Sequence, residues 1–301
     1  MASIRTRENR GQVAPDPLRV DGYTPAMVRD PMRLAAAAFD GTIDPARFHV
    51  GPAEEEALAR LEWLVLERGR CGIVVAEEGL GKSHLLAMAA RRCGGLGAEV
   101  ATLSLHGLPA GEWLDLLLAR LPLDAASRGE AERPWLVLEN RIRENTLMER
   151  PTVLAFDDVD RGPDDAREGI ARLASAGEPR FGSLVVVIST TPAGLARVPA
   201  AVRSRAAVRV DLAPWSQTEV AAFVTATLVR SGCDPACFSE AAIATLARFA
   251  GGVPRTVCQL ARLAALAAAD GGLERVDAAT VERAWRELLP SEPALRHRDA
   301  V

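Results

Sequence analysis

Five short apolar runs, separated by helix-patterned stretches, limit this chain to very few folds. They are CGIVVA (71–76), AEVATLSL (98–105), PTVLAF (151–156), SLVVVIST (183–190) and AAVRVDL (206–212). The runs are rich in β-branched residues and bounded by turn signals, the pattern of strands covered on both faces. Helices are expected over 82–93, about 110–121, 130–149 and 163–175. The strands therefore join through crossovers, and the sheet is parallel, with helices on both faces. Another helix precedes the first strand: Ala57, Leu58, Leu61, Leu64 and Val65 form one apolar stripe, and Gly69 closes it. After Leu212 the strands stop. Ser216 and Glu219 form a capping box that opens a helix ending at Gly232. Further helices are expected over 239–250, 254–269 and 277–288. The expected organisation is a polar, flexible N-terminal tail (1–32), an α/β domain (33–213), a small all-helical domain (214–289) and a C-terminal tail (290–301).

The turn after the first run reads A-E-E-G-L-G-K-S: Ala76, Glu77, Glu78, Gly79, Leu80, Gly81, Lys82 and Ser83, with His84 next in the helix. It matches G-x-x-x-x-G-K-[ST] except that Ala76 replaces the first glycine, and it lies between a strand and a helix as that pattern requires. Gly79 and Gly81 let backbone N–H groups turn inward toward phosphates, and the helix N-terminus adds its positive end. Lys82 is the single lysine among 36 Lys+Arg residues. A compact ammonium fits a phosphate cradle where a broad guanidinium does not. Ser83 offers a hydroxyl to Mg²⁺. The run VLAFDDVD ends on Asp157 and Asp158. A carboxylate at the end of a neighbouring parallel strand, Asp157, is placed to hold the Mg²⁺ water shell, and Asp158 to orient or deprotonate an attacking water. Many nucleotide hydrolases carry Glu at that second position. Asp is one methylene shorter, which implies slow hydrolysis and a nucleotide that acts partly as a switch.

On these motifs the chain resembles the AAA+ ATPases, most closely the group of the ExeA/general secretion pathway A ATPase, with TniB/MuB-type transposition ATPases as near relatives. The resemblance runs from about Phe39 to Leu289. It implies a P-loop NTPase parallel sheet followed by a helical lid, with Walker A and Walker B motifs, ATP and Mg²⁺. It places Phe48, His49 and Val50 near the adenine. The polar end of LVVVISTTP resembles the family's γ-phosphate sensor, with Thr191 the first choice and Thr190 next. VPAAVRSRAAVRV resembles the segment carrying an arginine finger, with Arg203 and Arg205 as candidates; a finger serves a neighbouring subunit and implies a homo-oligomer in the ATP state. FAGGVPRTVCQLARLAA resembles the start of the lid helix, whose Arg255 leans over the triphosphate.

The net charge of −4 argues against coating nucleic acid by bulk charge, though not against a local arginine face. The N-terminal stretch lacks the apolar segment of a signal peptide, and no run is long enough to span a membrane. The five cysteines are scattered; Cys233 and Cys237 have no second pair at zinc spacing, so free buried thiols in the cytoplasm are expected. Two functions fit. One is an ATPase that drives assembly or remodelling of a partner, either an envelope component or DNA. The other is a nucleotide-gated adaptor, or transposition-type regulator, with little hydrolysis.

Overall fold

The structure, a computed structural model, describes residues 30–42, 48–123, 133–176 and 182–288. Residues 1–29, 290–301 and the first part of the helix expected over 130–149 lie outside them. The strands are β1 (Cys71–Val75), β2 (Glu99–Ser104), β3 (Thr152–Asp157), β4 (Leu184–Thr190) and β5 (Ala206–Asp211). They form one five-stranded sheet in the order β2-β3-β4-β1-β5, and every pairing is parallel. The α-helices are α1 (Pro31–Ala38), α2 (Pro52–Leu66), α3 (Lys82–Gly95), α4 (Trp113–Leu118), α5 (Pro134–Leu147), α6 (Asp164–Ser175), α7 (Ala200–Arg205), α8 (Gln217–Arg230), α9 (Glu240–Ala250), α10 (Pro254–Asp270) and α11 (Ala278–Leu288).

The two-residue period of a strand sorts the sheet's side chains onto two cores. Ile73, Val75, Leu154, Phe156, Val186 and Ile188 face one side, where Leu117 of α4, Ile142 of α5, Ile170 of α6 and Val202 of α7 pack. Val74, Val153, Ala155, Val185 and Val187 face the other, against Leu58 and Leu61 of α2 and Leu85 and Leu86 of α3. Gly72 lets α2 approach β1: a Cβ there would stand 2.8 Å from Leu64 Cδ2.

A third core joins α8 to α11. Helix α8 opens on the expected box: Glu219 N donates to Ser216 Oγ (3.2 Å), and Ser216 N donates to Glu219 Oε2 (2.7 Å). This core also takes in α1, a helix absent from the sequence reading. Asp30 caps it by accepting from Met32 N at 2.9 Å, and Pro31 fills its first turn. Its stripe of Met32, Ala35, Ala36 and Phe39 is buried with Val224, Leu260 and Ala264. Small alanines on α1 and α10 let these helices pack closely, so a segment that precedes the sheet in the chain belongs in space to the C-terminal helices. Among the described residues no helix is long and apolar enough to cross a membrane.

Candidate functional site

The loop between β1 and α3 is built on two left-handed glycines, Gly79 at φ 79° and Gly81 at φ 93°. Ala76 is not among the positive-φ residues, so its methyl fits where the motif has glycine. Ala76 is buried; its N–H donates to Thr190 O at 3.2 Å, which ties the loop to β4. Lys82 is only 7% exposed. Its Nζ donates to Ala76 O (3.0 Å) and Glu77 O (3.3 Å), which holds the ammonium over the loop and leaves one of its three donors for a ligand. The loop opens onto the N-terminus of α3, where the first N–H groups have no acceptor within the helix.

Ser83 Oγ donates to Asp157 Oδ2 at 2.5 Å. The two residues therefore converge as expected, but by a different route through the sheet. β3 is not the neighbour of β1, because β4 lies between them. The end of β4 fills the gap with Ser189, which sequence reasoning overlooked. Its hydroxyl donates to Asp157 Oδ1 and accepts from Asp158 N at 2.9 Å. A polar residue closing the apolar run VVVIS was the available signal.

Asp158 adopts φ 52°, a left-handed conformation that Asp tolerates better than most residues. Burial pushes its carboxyl above the ordinary range, the charge of Asp157 pushes the same way, and Lys82 opposes both. A carboxylate held this way keeps a greater hold on a proton, the direction that favours a general base.

These residues line a cavity of about 460 Å³, with Gly79, Gly81, Lys82, Ser83 and Asp158 on the sheet side. The opposite wall is α10, which presents Arg255, Gln259 and Arg262 at i, i+4 and i+7. The helix start docks directly on the loop. Arg255 N donates to Gly79 O at 3.2 Å, and a Cβ on Gly79 would stand 2.9 Å from Val253 Cγ1. The segment after α1, Phe39 to Gly41, forms part of the rim.

A smaller apolar hollow of about 90 Å³ adjoins this cavity, and both share Gly81, His84 and Pro254. Phe48, His49, Leu80 and Trp215 line it. Phe48 stacks on His84 with centroids 6.0 Å apart, and His49 meets Trp215 edge-on at 6.1 Å. Burial holds the His49 imidazole below its ordinary pKa, which favours the neutral ring. Val50 instead packs against the core under the sheet.

Four expected site residues lie elsewhere. Thr191 turns from the cavity: its hydroxyl donates to Asp160 Oδ2 (2.7 Å) and accepts from Gly194 N (3.0 Å). Thr190 is fully buried and its hydroxyl donates to Thr191 O. Arg203 and Arg205, on the last turn of α7, are exposed and do not line the cavity.

No protein-family model and no curated protein matches the sequence. Solved structures do match the fold. The Drosophila ORC bound to DNA superposes with a TM-score of 0.68 at 18% identity, over 93% of this chain and 71% of that one. The Aeropyrum pernix ORC2 protein, solved in ADPNP-ADP complexes, gives 0.64 at 13%, over 83% and 71%. The Thermotoga maritima RuvB Holliday junction branch migration motor gives 0.54 at 16%, over 81% and 71%. The fold is that of the AAA+ P-loop ATPases. In an AAA+ frame the α8–α11 bundle takes the place of the lid, and the 460 Å³ cavity lies between lid and sheet. Arg255 stands in the first turn of α10 and lines the cavity. Gln259, Arg262 and Arg161 also line the cavity and were not anticipated. The two α10 residues follow from Arg255 by helical spacing; Arg161 is brought in by the short 3₁₀ turn Val159–Arg161.

Proposed function

We propose that this chain is a Mg²⁺-dependent ATPase whose nucleotide state drives or gates a partner. The observation that carries the reading is the convergence of Lys82, the Ser83–Asp157 pair, Asp158 and Arg255 on one cleft between sheet and lid. ATP lies in the cleft with its phosphates on the Gly79–Ser83 loop and its base toward Phe48 and His49. Lys82 neutralises the outer phosphates, and Asp158 orients and deprotonates the attacking water. The oxygen donors of Ser83 and Asp157 suit Mg²⁺, which would supply positive charge to the phosphates there. Arg255 couples lid closure to the triphosphate. Steady-state phosphate release with Mg²⁺ tests this: it is measurable for the native chain and abolished by Lys82→Ala. Losing one charged phosphate contact weakens ATP binding by roughly ten- to a hundredfold. Lack of ATP uptake by folded protein overturns the reading.

The second reading, a nucleotide-gated adaptor with little turnover, is favoured by the short side chain of Asp158. There, phosphate release is near background while ATP still raises the melting temperature. The sequence likeness to the ExeA and TniB/MuB groups bears on the partner, either an envelope component or DNA. Support for DNA comes from the ORC neighbour solved on DNA; ATP-strengthened, salt-sensitive DNA binding is the corresponding test. Arg203 and Arg205, being exposed, suit a finger acting on an adjoining subunit of a homo-oligomer.

A further inference from the structure

Glu78 is an awkward residue for a loop that wraps a polyanion. It precedes Gly79 and lines the cavity, and its negative charge opposes phosphate binding. The structure pairs it with Arg161, which reaches from the turn after β3, 83 positions further along the chain. Both side chains are substantially open to solvent, at 57% for Glu78 and 38% for Arg161. An ion pair that exposed contributes little to stability, so bracing the fold is a poor account of it. Arg161 is nevertheless mounted firmly. Its backbone N–H donates to Asp158 O at 3.0 Å, which fixes it to the residue that faces the reacting phosphate in the reading above. Its guanidinium thus stands at the cavity wall between Asp158 and the loop, occupied by a carboxylate that water can readily re-solvate.

The geometry points to a ligand-displaced latch: a terminal phosphate takes the Arg161 guanidinium from Glu78, and Arg161 becomes a phosphate ligand within its own subunit. A phosphate offers the planar fork a multiply charged acceptor in place of a singly charged one, and Glu78 swings into solvent. The latch distinguishes triphosphate from diphosphate, because the third phosphate is the one nearest Asp158. The inference rests on the ATP reading of this cavity.

Calorimetric titration of the full chain with Mg²⁺ and either a non-hydrolysable ATP analogue or ADP tests it. Arg161→Ala is expected to weaken analogue binding about tenfold with ADP nearly unchanged, the loss of one charge-assisted contact. Arg161→Lys is expected to fall between, since it keeps charge without the fork. Glu78→Gln is expected to favour the analogue over ADP by a few-fold more than the native chain does. Unchanged melting temperatures establish that the variants are folded. If Arg161→Ala weakens analogue and ADP by the same factor, or neither, the latch is overturned while the ATP reading stands. If the native chain takes up neither nucleotide, both fall together.

Discussion

At the scale of single residues, the two glycines of the phosphate loop make separable demands. Both hold left-handed φ, so an alanine at either costs roughly 1–2 kcal/mol of backbone strain. At Gly81 the added methyl meets nothing within 4 Å. At Gly79 it presses on Val253, which caps the lid helix, and on Arg255 in its first turn. Gly79→Ala is therefore expected to weaken ATP binding well beyond Gly81→Ala, which titration of the two variants checks. Asp158 carries the second prediction. Its carboxylate stands one methylene short of Glu, and misplacement of about 1 Å costs around a hundredfold in rate. Asp158→Glu is expected to raise kcat toward that limit with little change in ATP affinity; unchanged turnover removes this account of slow hydrolysis. Lys82 and Ser83 were legible in the sequence because a short motif between strand and helix fixes their local geometry, and Asp157 because it closes an apolar strand run. Ser189 and Arg161 were not, because their positions depend on which strand lies between β1 and β3 and on a turn that brings Arg161 to the cavity.

At the scale of elements, the turn joining α9 to α10 is the tightest point of the lid. Gly252 holds φ 71°, and a Cβ on it would stand 2.1 Å from the carbonyl oxygen of Trp215. Trp215 N also donates to Gly252 O at 2.8 Å. Gly252→Ala is expected to destabilise the protein by roughly 2 kcal/mol or more, since backbone rather than a movable side chain blocks the methyl; a thermal melt reads the loss. His49, packed against Trp215 and Phe223, gives the lid contact a pH dependence. Its folded pKa lies below the ordinary 6.5, so the unfolded chain takes up the proton first as pH falls. Stability is complete above that ordinary value and lost as pH drops through it. A melting series from pH 8 to pH 5 should decline, and His49→Gln should flatten it. The strands were legible because fully covered strands concentrate β-branched residues. α1 was missed because its stripe is mostly alanine, whose apolar signal is weak, and because its partner lies at the other end of the chain. The helix expected over 110–121 shortens to Trp113–Leu118 beside the left-handed Gly111.

At the scale of the whole molecule, the exposed Arg203 and Arg205 set the question of assembly. Light scattering is expected to show a larger species with ATP than without. Arg203→Ala or Arg205→Ala is expected to leave ATP affinity intact and depress turnover; a monomer under all conditions removes the finger role. Among the described residues the helical lid meets the sheet domain where the start of α10 docks on the phosphate loop, at Trp215, whose indole donates to Glu54 Oε1 at 2.8 Å, at Phe223 against His49, and at Arg230, whose guanidinium donates to Phe48 O at 3.4 Å. α1 sits wholly on the lid's side of that divide, with its core among α8 and α10. The chain entering at Asp30 is thus harnessed to the lid before the sheet begins. The proposed lid movement would therefore carry α1 with it, so a fluorophore near position 32 would swing against one on the sheet when nucleotide is added.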